Sequence, residues 1–283
     1  MKLQGIFLPA TTPFNHQGDV WPAKVEHNVS KWNRTDLAGY IVCSDTGEGA
    51  LLSAQEKIRM WEWVAQYSAP EKKLIAATGM PGVRETVFLT NHSEMLGYAA
   101  AVVRAPRENA ETQLVYFRAV ADQSKIPVFI ETGDGTSIDT VVALSAHPHI
   151  FGVIESTGDP LRIRRILVEA KPGFQIVAGN DAALAASFFQ GASAAASALA
   201  NAAPFAIISI WEAHRTREIE AAYDWQARIA KIADLLGARY GVPGLKHAMD
   251  WNGYYGGPPR LPLISPTQEA RKEIEQALDG IKG

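Results

Sequence analysis

The amino-acid sequence predicts an α/β fold, a (β/α)8 TIM barrel that continues into a C-terminal helical extension. Eight short apolar runs recur along the 283 residues, and each is followed by a stretch with helical periodicity. The runs are apolar on both faces, as expected for parallel strands that are covered on both sides. A doubly wound open sheet is the alternative, but no glycine-rich dinucleotide-binding motif follows the first run.

The predicted strands fit a closed barrel because eight strand-and-helix repeats are the number that this architecture requires. In chain order they read GIFLPATT, GYIVCS, LIAATG, AAAVVRA, IPVFIET, IFGVIES, FQIVAG and ASAAASALAN.

Several residue patterns in the sequence predict where helices begin. Ser53 and Glu56 have the spacing of a capping box, in which each residue satisfies a backbone N–H of the first turn. Asp159 followed by Pro160 is a second start signal, since proline is favoured at the first helical position. Asn180 can cap the helix that follows the seventh run.

More helix follows the eighth run than a barrel needs. One helical pattern covers residues 219–240, and Ser265 with Pro266 is predicted to begin a last helix that ends near Ile281. We therefore expect the barrel over residues 1–215 and the helical extension over residues 216–283, packed together as one structural unit.

Composition excludes several classes of function. The formal net charge is −3 and no basic run occurs, so no nucleic-acid partner is expected. The one cysteine, Cys43, excludes a disulfide framework and a cysteine-based zinc site. No apolar run is long enough to span a membrane, and the N-terminus does not resemble a signal peptide. We expect a cytoplasmic protein without a membrane partner.

Function in such a barrel lies at the carboxyl ends of the strands. The segment SDTGE, from Ser44 to Glu48, is the most informative one there, because a tight turn at Gly47 can present backbone N–H groups to a carboxylate. An ordinary strand-to-loop turn with a capping acid is the alternative.

Five segments together resemble the dihydrodipicolinate synthase and N-acetylneuraminate lyase family. They are TPF, SDTGEGALLSAQEK, GVIESTGD, AGNDAALAASFFQGASAAASALAN and PGLKHAMDWNGYYGGPPRLPL. The resemblance runs essentially from end to end. It implies a barrel with C-terminal helices, a homodimer or homotetramer, and pyruvate or another 2-keto acid held as a Schiff base on a lysine. No further cofactor is expected.

The chain departs from this family at the positions that carry the chemistry. The resemblance places the Schiff-base lysine of the family at Ile154, the catalytic tyrosine at Glu131, and the first threonine of a proton-relaying pair at Asp45. The second threonine is retained as Thr46. Isoleucine has no amine and cannot condense with a ketone. We expect Ile154 to point into the barrel at the depth of Glu131.

None of the twelve lysines lies at a predicted strand end, and Lys246, on the C-terminal helix, is interpreted as structural. The sequence therefore predicts a barrel mouth without an amine, in which the Schiff-base reaction does not run. Glu155, beside the lysine position, is interpreted as a conformational anchor. Cys43 is interpreted as a buried small hydrophobic residue.

The candidate catalytic residues are Asp45 and Glu131, and the candidate ligand-binding residues are Ser44, Asp45, Thr46, Arg104 and Glu131, with Arg107 nearby. Three interpretations stay open: a carboxylate pair for acid–base chemistry, an arginine–carboxylate network that fills the old pocket, and a divalent metal on oxygen ligands. The chain is accordingly either an enzyme for a small keto acid or sugar acid, or a noncatalytic family member that binds or assembles.

Overall fold

A computed structural model describes residues 1–104, 109–133 and 135–281. Eight parallel strands close into a barrel in sequence order, with the eighth strand paired to the first. The strands are β1 (Gly5–Ala10), β2 (Gly39–Val42), β3 (Lys73–Ala77), β4 (Ala100–Arg104), β5 (Val128–Glu131), β6 (Ile150–Glu155), β7 (Gln175–Ala178) and β8 (Ala194–Ala196). All eight predicted strands and the predicted fold class are confirmed.

Helices surround the barrel and extend beyond it. They are α1 (Pro22–Trp32), α2 (Ala54–Tyr67), α3 (Val83–Met95), α4 (Ala110–Gln123), α5 (Ile138–Ser145), α6 (Pro160–Glu169), α7 (Leu184–Phe189), α8 (Pro204–Arg215), α9 (Ile219–Asp234), α10 (Gly241–Trp251) and α11 (Gln268–Ala277). Short 3-10 turns cover Asp45–Gly47, Gly49–Leu51, Asp181–Ala183 and Leu199–Asn201, and a π-helical turn covers Leu235–Arg239.

The strands are buried on both faces, which explains their continuously apolar sequences. Alternate strand residues form a cluster inside the barrel, with Phe7, Ile41, Phe129 and Ile154 among its members. The intervening residues pack against the ring of helices in a much larger cluster. Each such large aliphatic or aromatic side chain stabilises the fold by roughly 1.5–3 kcal/mol. A strand with one polar face could not occupy these positions.

The helix-start signals are confirmed. Ser53 and Glu56 form the complete capping box of α2, with distances of 2.9 and 3.2 Å between the paired atoms. The Asp159 side chain accepts from the backbone of α6, which has Pro160 in its first turn. Asn180 caps its segment by accepting from the N–H of Ala182. That segment begins with a 3-10 turn before α7.

The last helix is shorter than predicted. It begins at Gln268, because the side chain of Thr267 accepts from the N–H of Ala270 and acts as the cap. It ends at Ala277, three residues before Gly280, which has a φ of 79°. Such a φ is outside the right-handed helical region and favours glycine. Within the ranges described above, every helix is too short or too polar to cross a lipid bilayer.

Gly152 on β6 is required by the close approach of its neighbours. A Cβ at this position would lie 2.4 Å from the Gln175 carbonyl oxygen and 2.7 Å from the Phe129 ring. Gly152→Ala should therefore lower the free energy of unfolding by about 1–3 kcal/mol, the usual cost of overpacking a core. Gly82→Ala is the matched control, because nothing lies within 4 Å of its added methyl group. Urea denaturation of the two variants measures the difference, and equal stabilities would contradict this interpretation.

Candidate functional site

The candidate residues meet at the carboxyl ends of the strands. A cavity of about 270 Å³ is lined by Ser44 and Asp45 after β2, Arg104 on β4 and Glu131 on β5. A second space of about 60 Å³ lies beside it, lined by Thr46, Ile154 and again Ser44, Asp45 and Glu131. Thus the structure brings together every predicted ligand-binding residue. Arg107 lies outside the described residues.

The SDTGE turn uses some of its backbone N–H groups internally, and its binding of a carboxylate stays a prediction. Those of Gly47 and Gly49 donate to the carbonyl of Ser44, and that of Glu48 donates to the carbonyl of Asp45, all at 2.9 Å. These three groups are used to hold the turn itself, so they are not available to a ligand carboxylate. The turn is fixed to β1 as well, because the Thr12 hydroxyl donates to the Gly47 carbonyl at 2.6 Å.

Asp45 and Arg104 form an ion pair across the cavity mouth. Their side chains are 62% and 40% exposed, so water screens the pair. Exposed pairs of this kind contribute about 0–1 kcal/mol to stability. A ligand carboxylate could compete with Asp45 for the guanidinium at little cost.

Glu131 is the deepest acid of the site. It ends β5, where it is paired in register with Arg104 of β4 and with Ile154 of β6. Burial raises the pKa of the Glu131 carboxyl, and the charge of Arg104 opposes that shift only in part. No residue in the described part of the chain forms a hydrogen bond or ion pair with this side chain, which lines both spaces.

Ile154 lies in the barrel interior and is 4% exposed, as the sequence led us to expect. Its neighbour Glu155 is also buried but accepts from the backbone and hydroxyl of Thr157, at 3.1 and 2.6 Å. Arg162 approaches the same carboxylate at 3.3 Å. Such a network holds the start of the loop after β6, in agreement with the interpretation of Glu155 as an anchor.

The prediction of a barrel mouth without an amine was wrong, because Lys57 of α2 lines the larger cavity. Its side chain is buried, and its amine lies 3.3 Å from the thioether sulfur of Met80. Burial lowers the pKa of Lys57. Lys57 lies on a helix, whereas the prediction rested on the residues at strand ends. The helical spacing of Lys57, Met60 and Val64 was the signal that could have placed this lysine on the buried face of α2.

Cys43 precedes the turn and also lines this cavity. Burial raises the pKa of its thiol to about 12, so the thiol stays protonated and is a poor nucleophile. As for metals, in the part of the chain that the structure describes no three His, Cys, Asp or Glu side chains are grouped as ligands.

Lys246 stabilises the SDTGE turn through a buried ion pair with Glu48. The lysine amine lies 2.5 Å from a carboxylate oxygen of Glu48. Both side chains are almost completely buried, at 1% and 0% exposure. The amine of Lys246 also donates to the carbonyls of Thr12 and Pro258, at 2.9 and 3.1 Å. This lysine is therefore occupied by structural contacts, in agreement with its interpretation from the sequence.

Removing the Lys246 amine should destabilise the fold, because Glu48 would be left as a buried charge without a cationic partner. We expect Lys246→Met to lower the free energy of unfolding by about 3–5 kcal/mol. Adding Glu48→Gln should recover part of the loss. Asp224→Asn breaks an exposed pair with Arg228 and is the control, with an expected cost of about 0.5 kcal/mol or less. A loss for Lys246→Met as small as the control in urea denaturation would contradict this assignment.

Comparison with known proteins agrees with the architecture. The model of the dihydrodipicolinate synthetase family matches residues 2–281. A 4-hydroxy-tetrahydrodipicolinate synthase of Xanthomonas campestris is 30% identical, over 97% of this chain and 94% of that protein. A protein of Emericella nidulans named "Probable 4-hydroxy-2-oxoglutarate aldolase, mitochondrial" is 29% identical, over 96% of this chain and 93% of its own length.

The fold is shared with solved structures as well. The chloride-inhibited dihydrodipicolinate synthase of Acinetobacter baumannii, solved in complex with pyruvate, superposes with a TM-score of 0.93 at 24% identity, covering 99% of this chain and all of that one. Because the family model spans nearly every residue, this chain belongs to the dihydrodipicolinate synthetase family.

Proposed function

We propose that this protein binds a small keto acid or sugar acid at the mouth of its barrel, without the covalent adduct that its family forms on a lysine. The family resemblance places that lysine at Ile154, whose side chain offers no nucleophile. Arg104 is the cation suited to the acid group of the ligand, because a guanidinium matches the two oxygens of a carboxylate. The relative crystallised with pyruvate supports this class of ligand.

Glu131 is the observation that carries an enzymatic role. A carboxyl with a raised pKa, facing a cavity and free of other partners among the residues described, can give a proton to a ligand oxygen and take it back. Asp45 differs from it, because it is exposed at the rim and paired with Arg104. The two acids thus differ in environment, as an acid and a base working together require.

A noncatalytic member of the family is the second candidate function. The Asp45–Arg104 ion pair favours it, because this pair occupies the guanidinium that a substrate carboxylate would need. Soaking crystals with a panel of 2-keto acids and sugar acids would identify the ligand. Turnover of the ligands found in this way then separates the enzyme from the binding protein.

The binding of an acid should depend on the protonation of Glu131. Because burial raises its pKa, Glu131 loses its charge as the pH falls, and repulsion of an anionic ligand disappears at higher pH than for an ordinary glutamate. Affinity for a 2-keto acid should therefore increase on acidification. Glu131→Gln should flatten this dependence and bind more tightly at any pH at which Glu131 of the wild type is ionised, on the order of tenfold, since about 1 kcal/mol or more of repulsion is removed.

Calorimetric titrations of both proteins over a pH series measure this effect. Asp139→Asn, at an exposed acid on α5, is the control and should keep the wild-type dependence. If the protein is an enzyme that uses Glu131, the glutamine variant should also lose about 10²–10⁴-fold in turnover despite its tighter binding. A pH dependence that persists in Glu131→Gln would refute the assignment.

We also propose that the protein assembles as a homodimer or homotetramer. Phe88 and Met95 on α3 are 57% and 72% exposed, and Leu161 and Val168 on α6 are 70% and 68% exposed. Exposed apolar side chains grouped on a helix face favour contact with another protein surface. Two such patches on separate helices suit a tetramer with two kinds of self-complementary interface.

Analytical ultracentrifugation at micromolar concentration tests the assembly. We expect a dimer or tetramer, and we expect Met95→Asp to reduce the mass by half because it places a charge in one apolar interface. Gln17→Asp adds the same charge at an exposed loop position and should leave the mass unchanged. A wild-type monomer would contradict the proposal.

A further inference from the structure

We propose that the larger cavity selects a dicarboxylic oxo acid, with Arg104 binding the carboxylate beside the oxo group and Lys57 binding the distal carboxylate. This inference rests on the proposed function and names the class of ligand for that same site. The two cations come from different elements, β4 and α2, and both line one cavity.

Lys57 is unusual because a buried cation normally has an anionic partner. Its side chain is only 2% exposed. No carboxylate of the described residues lies within ion-pair distance of its amine, and the acceptor that it does have is the weakly accepting sulfur of Met80. An ammonium group has three donors, so an anion entering the cavity would find donors that the protein leaves unused.

The other buried lysines show what a satisfied amine looks like in this protein. Lys246 is paired with Glu48 and donates to two carbonyls. Lys72 donates to the carbonyls of Thr35 and Leu37, at 2.6 and 2.9 Å. Of these three, Lys57 is the one that lines the cavity. The difference indicates a ligand contact rather than a structural one.

The wall of the cavity suits the middle of such a ligand. Small or apolar residues, among them Ala50, Gly79, Pro81 and Val102, line it together with the two cations. A chain of methylene groups could lie against them. The volume of about 270 Å³ is several times the roughly 30 Å³ that one water occupies in the liquid, which leaves room for a small organic acid.

Arg104 is available to the other carboxylate although Asp45 contacts it. The pair is exposed at the rim, and exposed pairs stabilise proteins only slightly. Exchanging Asp45 for a ligand carboxylate keeps the guanidinium paired. Glu131, which lies beside Arg104 in register, then faces the oxo group and can donate its proton there.

A neutral Lys57 that attacks the oxo group as a nucleophile is the competing interpretation. Imine formation needs a neighbouring group that moves protons as water is lost. The charges of Cys43 and Glu85 act on Lys57, and Glu131 lines the same cavity, but none of the three is hydrogen-bonded to its amine. Cys43 is also unsuited to the task because its thiol stays protonated. Ion pairing is therefore the better supported role.

The experiment compares acids that differ only in the distal group. Calorimetry measures the affinities of 2-oxoglutarate and 2-oxopentanoate, and of 2-oxoadipate and 2-oxohexanoate. In at least one pair, the wild-type protein should bind the dicarboxylate about ten- to a hundredfold more tightly, the usual contribution of a hydrogen bond to a charged group. In Lys57→Met, which keeps the length of the side chain, this ratio should fall to near one. Lys57→Gln is a second variant for the same measurement.

Lys72→Met is the matched control, since it removes a buried amine at the opposite end of the barrel and should keep the wild-type ratio. Equal wild-type affinities within both pairs would overturn the dicarboxylate assignment and leave the proposed function intact. Failure of all four acids to bind would overturn the dicarboxylate assignment and also the keto-acid part of the proposed function, and would leave a sugar acid as the ligand to test. Incubation of the wild-type protein with each acid and borohydride should leave its mass unchanged, and an adduct mapped to Lys57 would show the amine to be a nucleophile instead.

Discussion

The buried ion pair between Glu48 and Lys246 is the constraint on which the barrel mouth depends. It joins the turn after β2 to α10, which lie almost two hundred residues apart in the chain. Glu48 adopts a left-handed conformation with a φ of 56°, which is costly for a residue other than glycine. The ion pair, together with the N–H of Arg260 that donates to the other carboxylate oxygen at 2.7 Å, compensates for that cost.

The C-terminal segment consequently acts as part of the site rather than as an appendage. The guanidinium of Arg260 reaches Glu56 of α2 and the carbonyls of Gly18 and Leu51. It thereby fixes the start of the helix that carries Lys57 as well as the loop before it. With Glu48 directed toward the core, the preceding Ser44 and Asp45 are left to face the cavity. The position of Asp45 thus follows from contacts made far away in sequence.

The fold could be predicted from the sequence because its signals are local and repeated. Strands that are apolar on both faces, a capping box at Ser53 and the Asp159–Pro160 pair each act within a few residues. The end of α11 was misjudged because Thr267 and Gly280 set its limits more tightly than Pro266 and Ile281 suggested. The site was predictable only where the parallel topology alone brings strand ends together, as it does for Arg104, Glu131 and Ile154.

Contacts between elements that are not neighbouring strands could not be predicted from the sequence. Asp45 meets Arg104 across the barrel mouth, and no local pattern specifies that pairing. Lys57 was missed because a lysine on a helix is normally solvated, and its burial depends on the rotation of α2 against the barrel. The sequence also does not reveal that the N–H groups of Gly47 and Glu48 reach carbonyls of their own turn.

Ile154 and Glu131 are best understood together, because they are partners in register on adjacent strands. An isoleucine beside a carboxyl supplies neither a charge nor a hydrogen bond. The ionised form of Glu131 is therefore stabilised by Arg104 and by any cationic or hydrogen-bonding group of a ligand in the cavity. An amine at the position of Ile154 would have stabilised the carboxylate instead. Because Ile154 carries no charge, it does not oppose the burial that raises the pKa of Glu131. The function proposed above, proton transfer by Glu131 without a covalent intermediate, is consistent with this pair of residues.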